Sequence, residues 1–88
     1  MSKNRNFPTE NTAAAFLYGR HPVIAAIANP QRIINSIFCT KENTEELKNA
    51  CAKARRSPEI VKTADRKEIE RLLPRDAVHQ GIAARVQH

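Results

Sequence analysis

Glycine is nearly absent from this chain: Gly19 and Gly81 are the only two in 88 residues. A loop that cradles phosphate needs several glycines close together, so P-loop and dinucleotide-binding motifs are excluded. Cysteine is equally scarce. Cys39 and Cys51 have no Cys or His partners at zinc-ligand spacing, which removes a zinc finger, and two cysteines do not make a disulfide scaffold. Both are expected to be small apolar fillers, Cys51 on the buried stripe of a helix and Cys39 within a strand, and a reducing cytoplasm is the setting that fits them. No apolar run approaches the length of a membrane span, and the opening Met1-Ser2-Lys3-Asn4-Arg5-Asn6 lacks the apolar stretch of a secretory signal. No enzyme constellation is present.

What the chain has is positive charge. Fifteen Lys and Arg against nine Asp and Glu give a net charge of +6 and an isoelectric point near 9.9. That balance favours an anionic partner, most often nucleic acid. The bases are spread out: residues 41–76 carry ten of them with eight acids, the mixed pattern of solvated helices. No run of five or six bases exists, so a polybasic tail is excluded. Ile, Leu, Val and Phe supply 19 of the 88 residues, enough for one small domain with a modest core.

The order of elements is legible. Residues 1–15 are polar, contain Pro8 and have no helix cap, so they are expected to be an unstructured tail. Residues 16–18 predict a short buried strand with Gly19 at its exit. Pro22 opens a helix at its first position, and the helix runs through Val23 to Ala28 and stops at Asn29-Pro30. Residues 33–40, β-branched and apolar on both faces, predict an interior strand. A helix over 44–55 follows, capped by Asn43 with Glu46 reaching back, and its stripe is Leu47, Ala50, Cys51 and Ala54. Residues 60–63 predict a third strand. Asp65 and Glu68 open a third helix with Ile69, Leu72 and Leu73 inward, and Pro74 ends it. A polar loop leads to a last strand over 82–86, in which Ile82, Ala84 and Val86 share a face. The result is a small α/β domain, βαβαβαβ, with a central sheet flanked by helices. The direction of the last strand is open at this point.

Two loops carry groups of interest. Gly19-Arg20-His21-Pro22 sets a base and an imidazole at a strand-to-helix turn, where unpaired backbone N–H groups can receive an anion. The plainer use of the same residues is a helix cap beside a solvated arginine. His79-Gln80-Gly81 places two side chains that donate and accept next to a glycine, which on its own is an ordinary turn.

Taken together the two loops resemble a known family. The run Leu17-Tyr18-Gly19-Arg20-His21-Pro22-Val23-Ile24-Ala25-Ala26-Ile27 is similar to the Tyr-Gly-x-His-x-Val-x-x-Ala-Leu pattern that opens the substrate-binding domain of SpoU (TrmH-type) RNA ribose 2′-O-methyltransferases. Val78-His79-Gln80-Gly81-Ile82-Ala83-Ala84 resembles the His-Gln-Gly-Ile-x-Ala signature that closes that domain. The departures are Arg20, Pro22 and Ile27, at positions that vary or usually carry Leu. The resemblance spans residues 16–86.

The resemblance implies an L30e/L7Ae-like fold with a mixed sheet whose last strand is antiparallel to its neighbours. It implies one RNA-facing edge made of Arg20, His21, His79 and Gln80, with Arg32 and Lys41 as flanking phosphate contacts. Tyr18 and Phe7 are the aromatic candidates for base stacking. The motifs of the family's C-terminal knotted domain, which binds S-adenosylmethionine, do not occur here. The chain is therefore expected to be the N-terminal domain of a longer enzyme: a disordered tail over 1–15 and an RNA substrate-binding domain over 16–88. That domain has no catalytic residue and no cofactor or metal of its own. Its expected partners are rRNA or tRNA and the parent's own catalytic domain, in a homodimeric parent without membrane attachment. The alternatives are a stand-alone L7Ae-like structural RNA-binding protein and a protein-interaction domain that hardly touches RNA.

Overall fold

The computed structural model describes residues 14–87. Along the chain lie β1 (Ala14–Tyr18), α1 (Arg20–Ala28), β2 (Ile33–Cys39) and α2 (Lys41–Lys53). A 3-10 turn (Pro58–Ile60), β3 (Val61–Thr63), α3 (Arg66–Leu72) and β4 (Ile82–Gln87) complete it. The expected α/β alternation is the one observed. The four strands form one sheet in the order β1-β4-β2-β3. β2 and β3 are parallel, whereas β4 is inserted between β1 and β2 and runs antiparallel to both, as the resemblance implied.

Both faces of the sheet are covered. On one face Val23, Ala26 and Ile27 of α1 and Leu47 and Cys51 of α2 pack on Ile34, Ile37, Cys39, Ile82, Ala84 and Val86. The shared face of Ile82, Ala84 and Val86 is thus the core face. On the other, Ile69 and Leu73 cover Ala83, with Phe16, Tyr18 and Phe38 partly buried beside them. Cys39 and Cys51 are buried and free, and burial pushes both thiols above their ordinary range, the behaviour of packing residues.

Several boundaries differ from the sequence expectation. β1 begins at Ala14, with Ala14 opposite Gln87 and Ala15 opposite Val86, so two residues of the expected tail belong to the sheet. The rest of that tail, with Phe7, lies outside the described residues. α1 begins at Arg20, which makes Pro22 its third residue; the N–H that proline lacks would have no intrahelical acceptor there either. α2 begins at Lys41 behind Thr40, three residues before the expected start, so Asn43 is inside the helix and Glu46 does not reach back to it. β2 is buried mainly on one face, a bulge between Ile34 and Ser36 interrupts its alternation, and Ile33 at its start is 55% exposed. The Asp65–Glu68 capping box forms as expected, with the Asp65 N–H donating to Glu68 Oε1 at 2.9 Å. α3 ends at Leu72, which turns outward, while Leu73 remains buried.

The end of the sheet where α1 finishes is closed by one side chain. Arg56 Nε donates to the Ile27 carbonyl at 2.9 Å, and Nη2 donates to those of Asn29 and Arg32 at 2.7 and 2.8 Å. A cation there satisfies carbonyls that the helix end leaves unpaired. Among the described residues, no helix is long and apolar enough to cross a membrane.

Candidate functional site

The topology sorts the loops into two ends. Strands β1, β2 and β3 finish at the end where α1, α2 and α3 begin, and β4 starts there because it runs the opposite way. The registers Tyr18 opposite Ala83 and Cys39 opposite Ile82 set the turn before β4 between the exits of β1 and β2. Two backbone bonds fasten it: Gly19 N–H donates to the Ile82 carbonyl and Thr40 N–H to the Gly81 carbonyl, each at 3.0 Å.

The turn itself is tight. Ile82 N–H donates to the His79 carbonyl at 2.9 Å, and both central residues have positive φ, 55° at Gln80 and 75° at Gly81. That is the signature of a type I′ turn, which connects strands with the native twist but strains a residue that has a Cβ. Gln80 accepts the strain and makes a contact glycine could not. α1 has a glycine, Gly19, at its N-cap, with no side chain to receive the first N–H groups. Gln80 Oε1 takes that place, accepting the Arg20 N–H at 2.8 Å from 60 residues away.

Asn43 ties in the third element. Its Nδ2 donates to Thr40 Oγ1 at 3.0 Å and to the Gln80 carbonyl at 3.3 Å, and its Oδ1 accepts from Arg20 Nη2 at 3.4 Å. Arg20 Nη1 pairs with Glu46. The two sequence motifs therefore meet through backbone and side-chain bonds, and α2 holds them together.

The expected site residues divide unequally. Arg20, His21, Lys41 and Gln80 gather at this end, with His21, Lys41 and Gln80 exposed. His79 belongs to the turn but faces inward, only 6% exposed. Its Nδ1 accepts the Gly81 N–H at 2.9 Å, which places a ring proton on Nε2, 3.7 Å from Glu70 Oε2. The expectation grouped His79 with Arg20, His21 and Gln80 on one edge; its ring instead lies inside the turn, on the side of Glu70. Arg32 is also corrected. It immediately precedes β2 and lies at the opposite end of the sheet, where Ile33 pairs with Gln87 and Arg56 closes α1. Six strand steps, about 20 Å, separate the two ends of β2.

Sequence reasoning missed Arg66 and Asn43. Arg66 follows β3 as Arg20 follows β1 and Lys41 follows Cys39, so tracing the strand exits would have found it. Asn43 was hidden by its resemblance to a helix cap. With Arg66 included, the first residue of each of the three helices is a cation. The helix dipole opposes cations there by a few tenths to about 1 kcal/mol each. Acids moderate the field at each start: Glu46 pairs with Arg20, Asp65 and Glu68 flank Arg66, and Glu42 follows Lys41. Hydrogen bonds from its own backbone N–H and from the Thr40 hydroxyl hold the exposed Glu42 carboxyl below the usual carboxylate range.

The cap supplied by Gln80 has a measurable consequence. Gln80→Ala removes the acceptor for the Arg20 N–H and keeps the left-handed strain, and a loss of about 1 kcal/mol is expected in urea unfolding. Gln80→Gly loses the same cap but relieves strain worth about 1–2 kcal/mol, part of which the more flexible unfolded chain offsets. The glycine variant should therefore be the more stable of the two. Equal stability of Gln80→Ala and the parent would show that the cap contributes nothing.

Comparison with protein-family models matches residues 16–88 to the family described as RNA 2′-O ribose methyltransferase substrate binding. Neither the curated proteins nor the solved structures contain a match.

Proposed function

Because the chain belongs to the substrate-binding domain family of the RNA 2′-O-ribose methyltransferases, we propose that it holds rRNA or tRNA for an S-adenosylmethionine-dependent catalytic domain in the same, homodimeric and cytoplasmic, parent enzyme. The observation that carries the interface is the gathering of Arg20, Lys41 and Arg66 at the end where the two family motifs meet. Cations fixed at three helix starts, against the dipole preference, are favoured by an anionic chain lying across them.

The division of labour follows from the chemistry of each group. Lys41 and Arg66 neutralise phosphates and fix the position of the strand. His21 and Gln80, hydrogen-bonding side chains on the same edge, contact base edges or the 2′-hydroxyl that separates RNA from DNA. Arg20 is divided between Glu46 and Asn43 and orients the edge more than it adds free charge. S-adenosylmethionine supplies the methyl group in the parent, and the described residues of this chain do not fit it. Both glycines already face protein atoms, Val78 and Gln80 at Gly19 and Thr40 and Asn43 at Gly81, so neither opens a cradle for a cofactor. The contribution of this domain is binding and orientation.

Fluorescence anisotropy with labelled tRNA and with an rRNA stem–loop tests the proposal. Affinity in the range of about 10⁻⁴–10⁻⁶ M, falling log-linearly with salt, is the expected result. Binding that is indifferent to salt, or absent at low salt, would remove RNA from the role.

A further inference from the structure

Behind the turn that carries Gln80, α3 and the loop after it enclose a recess of about 380 Å³ lined by Glu70, Leu73, Pro74, Arg75, Ala77 and His79. The loop is held in shape by the Ala77 N–H, which donates to the Pro74 carbonyl at 3.1 Å. His79 forms the back of the recess and is oriented from the far side: the Gly81 N–H on Nδ1 leaves the Nε2 proton directed toward Glu70. At 3.7 Å the two are too far apart for a hydrogen bond. A side chain more than nine-tenths buried thus presents a donor with no hydrogen-bond partner among the described residues, beside a half-exposed carboxylate.

We propose that this recess takes an unstacked RNA base, inserted edge-first between His79 and Glu70. The inference rests on the RNA-binding function proposed above and deepens it. A donor that solvent reaches through the recess, next to an acceptor, selects a neutral group that offers an acceptor and a donor side by side, and the pairing edge of every nucleobase does so. Leu73, Pro74 and Ala77 give apolar walls suited to a flat ring. Glu70 disfavours an anion and the Nε2 proton disfavours a simple cation, which leaves Arg75, exposed at the rim, for the phosphate of the same nucleotide. Val78, 77% exposed, precedes His79 and offers apolar surface at the turn. Recognition of RNA by splayed-out bases is common, and here the recess and the cationic edge are two sides of one turn. The base is anchored there and undergoes no reaction.

The test is a nuclear magnetic resonance titration of the ¹⁵N-labelled 88-residue chain with AMP, GMP, CMP and UMP, and with ribose 5-phosphate for the sugar and phosphate alone. At least one nucleotide should shift the Gly81 and Ala77 amides and the His79 Nε2 resonance, and ribose 5-phosphate should not. His79→Asn sets an amide oxygen where Nδ1 stands, keeping the turn bond while deleting the distal donor. It should weaken that nucleotide about tenfold, the loss of one hydrogen bond in a partly enclosed site. Glu70→Ala, at an exposed helix position, keeps the fold intact and should weaken it similarly. Equal shifts from ribose 5-phosphate, shifts confined to residues 19–21 and 41–43, or wild-type affinity in both variants would overturn the pocket. Salt-sensitive RNA binding without recess shifts would remove the pocket and leave the RNA-binding function. No binding of any RNA would remove both.

Discussion

Gly81→Ala is expected to destabilise the domain by about 3 kcal/mol. Two causes add. The residue has a φ of 75°, where a Cβ strains the backbone. That Cβ would also sit 2.7 Å from Thr40 Oγ1 and 3.2 Å from Asn43 Nδ2. Thr40 cannot swing aside freely, because its hydroxyl receives the Asn43 amide and its N–H is bonded to the Gly81 carbonyl. Gly19→Ala provides the comparison: its φ of 92° and ψ of 157° lie in a region essentially reserved for glycine, but the nearest atom to a new Cβ is 3.6 Å away. Backbone strain alone, about 2 kcal/mol, is expected there. A small domain of this kind has roughly 3–5 kcal/mol to lose, so Gly81→Ala should leave a large unfolded fraction at room temperature. Urea unfolding measures both variants, and a loss below about 1 kcal/mol for Gly81→Ala would mean that the turn relaxes around the methyl group.

The second large effect concerns binding. Lys41→Glu combined with Arg66→Glu should weaken RNA binding by roughly 30-fold in low salt and make the salt slope shallower by about 1.4, because each phosphate neutralised on a single strand contributes about 0.7. Both side chains are exposed at helix starts, so the fold should survive. Arg32→Glu makes one of the same charge changes at the opposite end of the sheet. Beyond a Debye length from the edge, it should alter affinity by no more than about threefold. Similar weakening from both ends would mean that net charge, and not the assembled edge, attracts the RNA.

The elements that short-range rules govern were legible in the sequence. Asp65 with Glu68 announced α3, the proline before Arg75 announced its end, and the spacing of Leu47 and Cys51 announced the buried face of α2. Boundaries failed where two residues competed for one role. Thr40 and Asn43 can both cap a helix, and tertiary contacts decide between them: Asn43 is drawn into bonds with Thr40 and Gln80, which leaves Thr40 as the cap. Arg32 was misplaced for a different reason. Charge along the sequence does not say which end of a sheet a loop occupies, but the direction of the chain does. Loops that leave β1, β2 and β3 share one end, and loops that enter β2 and β3 share the other. By that rule Arg32 falls away from the site and Arg66 enters it. The burial of His79 had no local signal, because its cause is a backbone N–H two residues ahead inside a turn of left-handed residues.

The most direct test of the central claim, that RNA lies across the end where the family motifs meet, is amide chemical-shift mapping of the labelled chain with an rRNA stem–loop. The largest shifts are expected at Gly19, Arg20, His21, Lys41, Asn43, Arg66 and Gln80, with Ile33, Arg56 and Gln87 unmoved. Shifts centred on Ile33 and Arg56, or on the outer surface of α1 and α2 around Ile24 and Ala50, would contradict it.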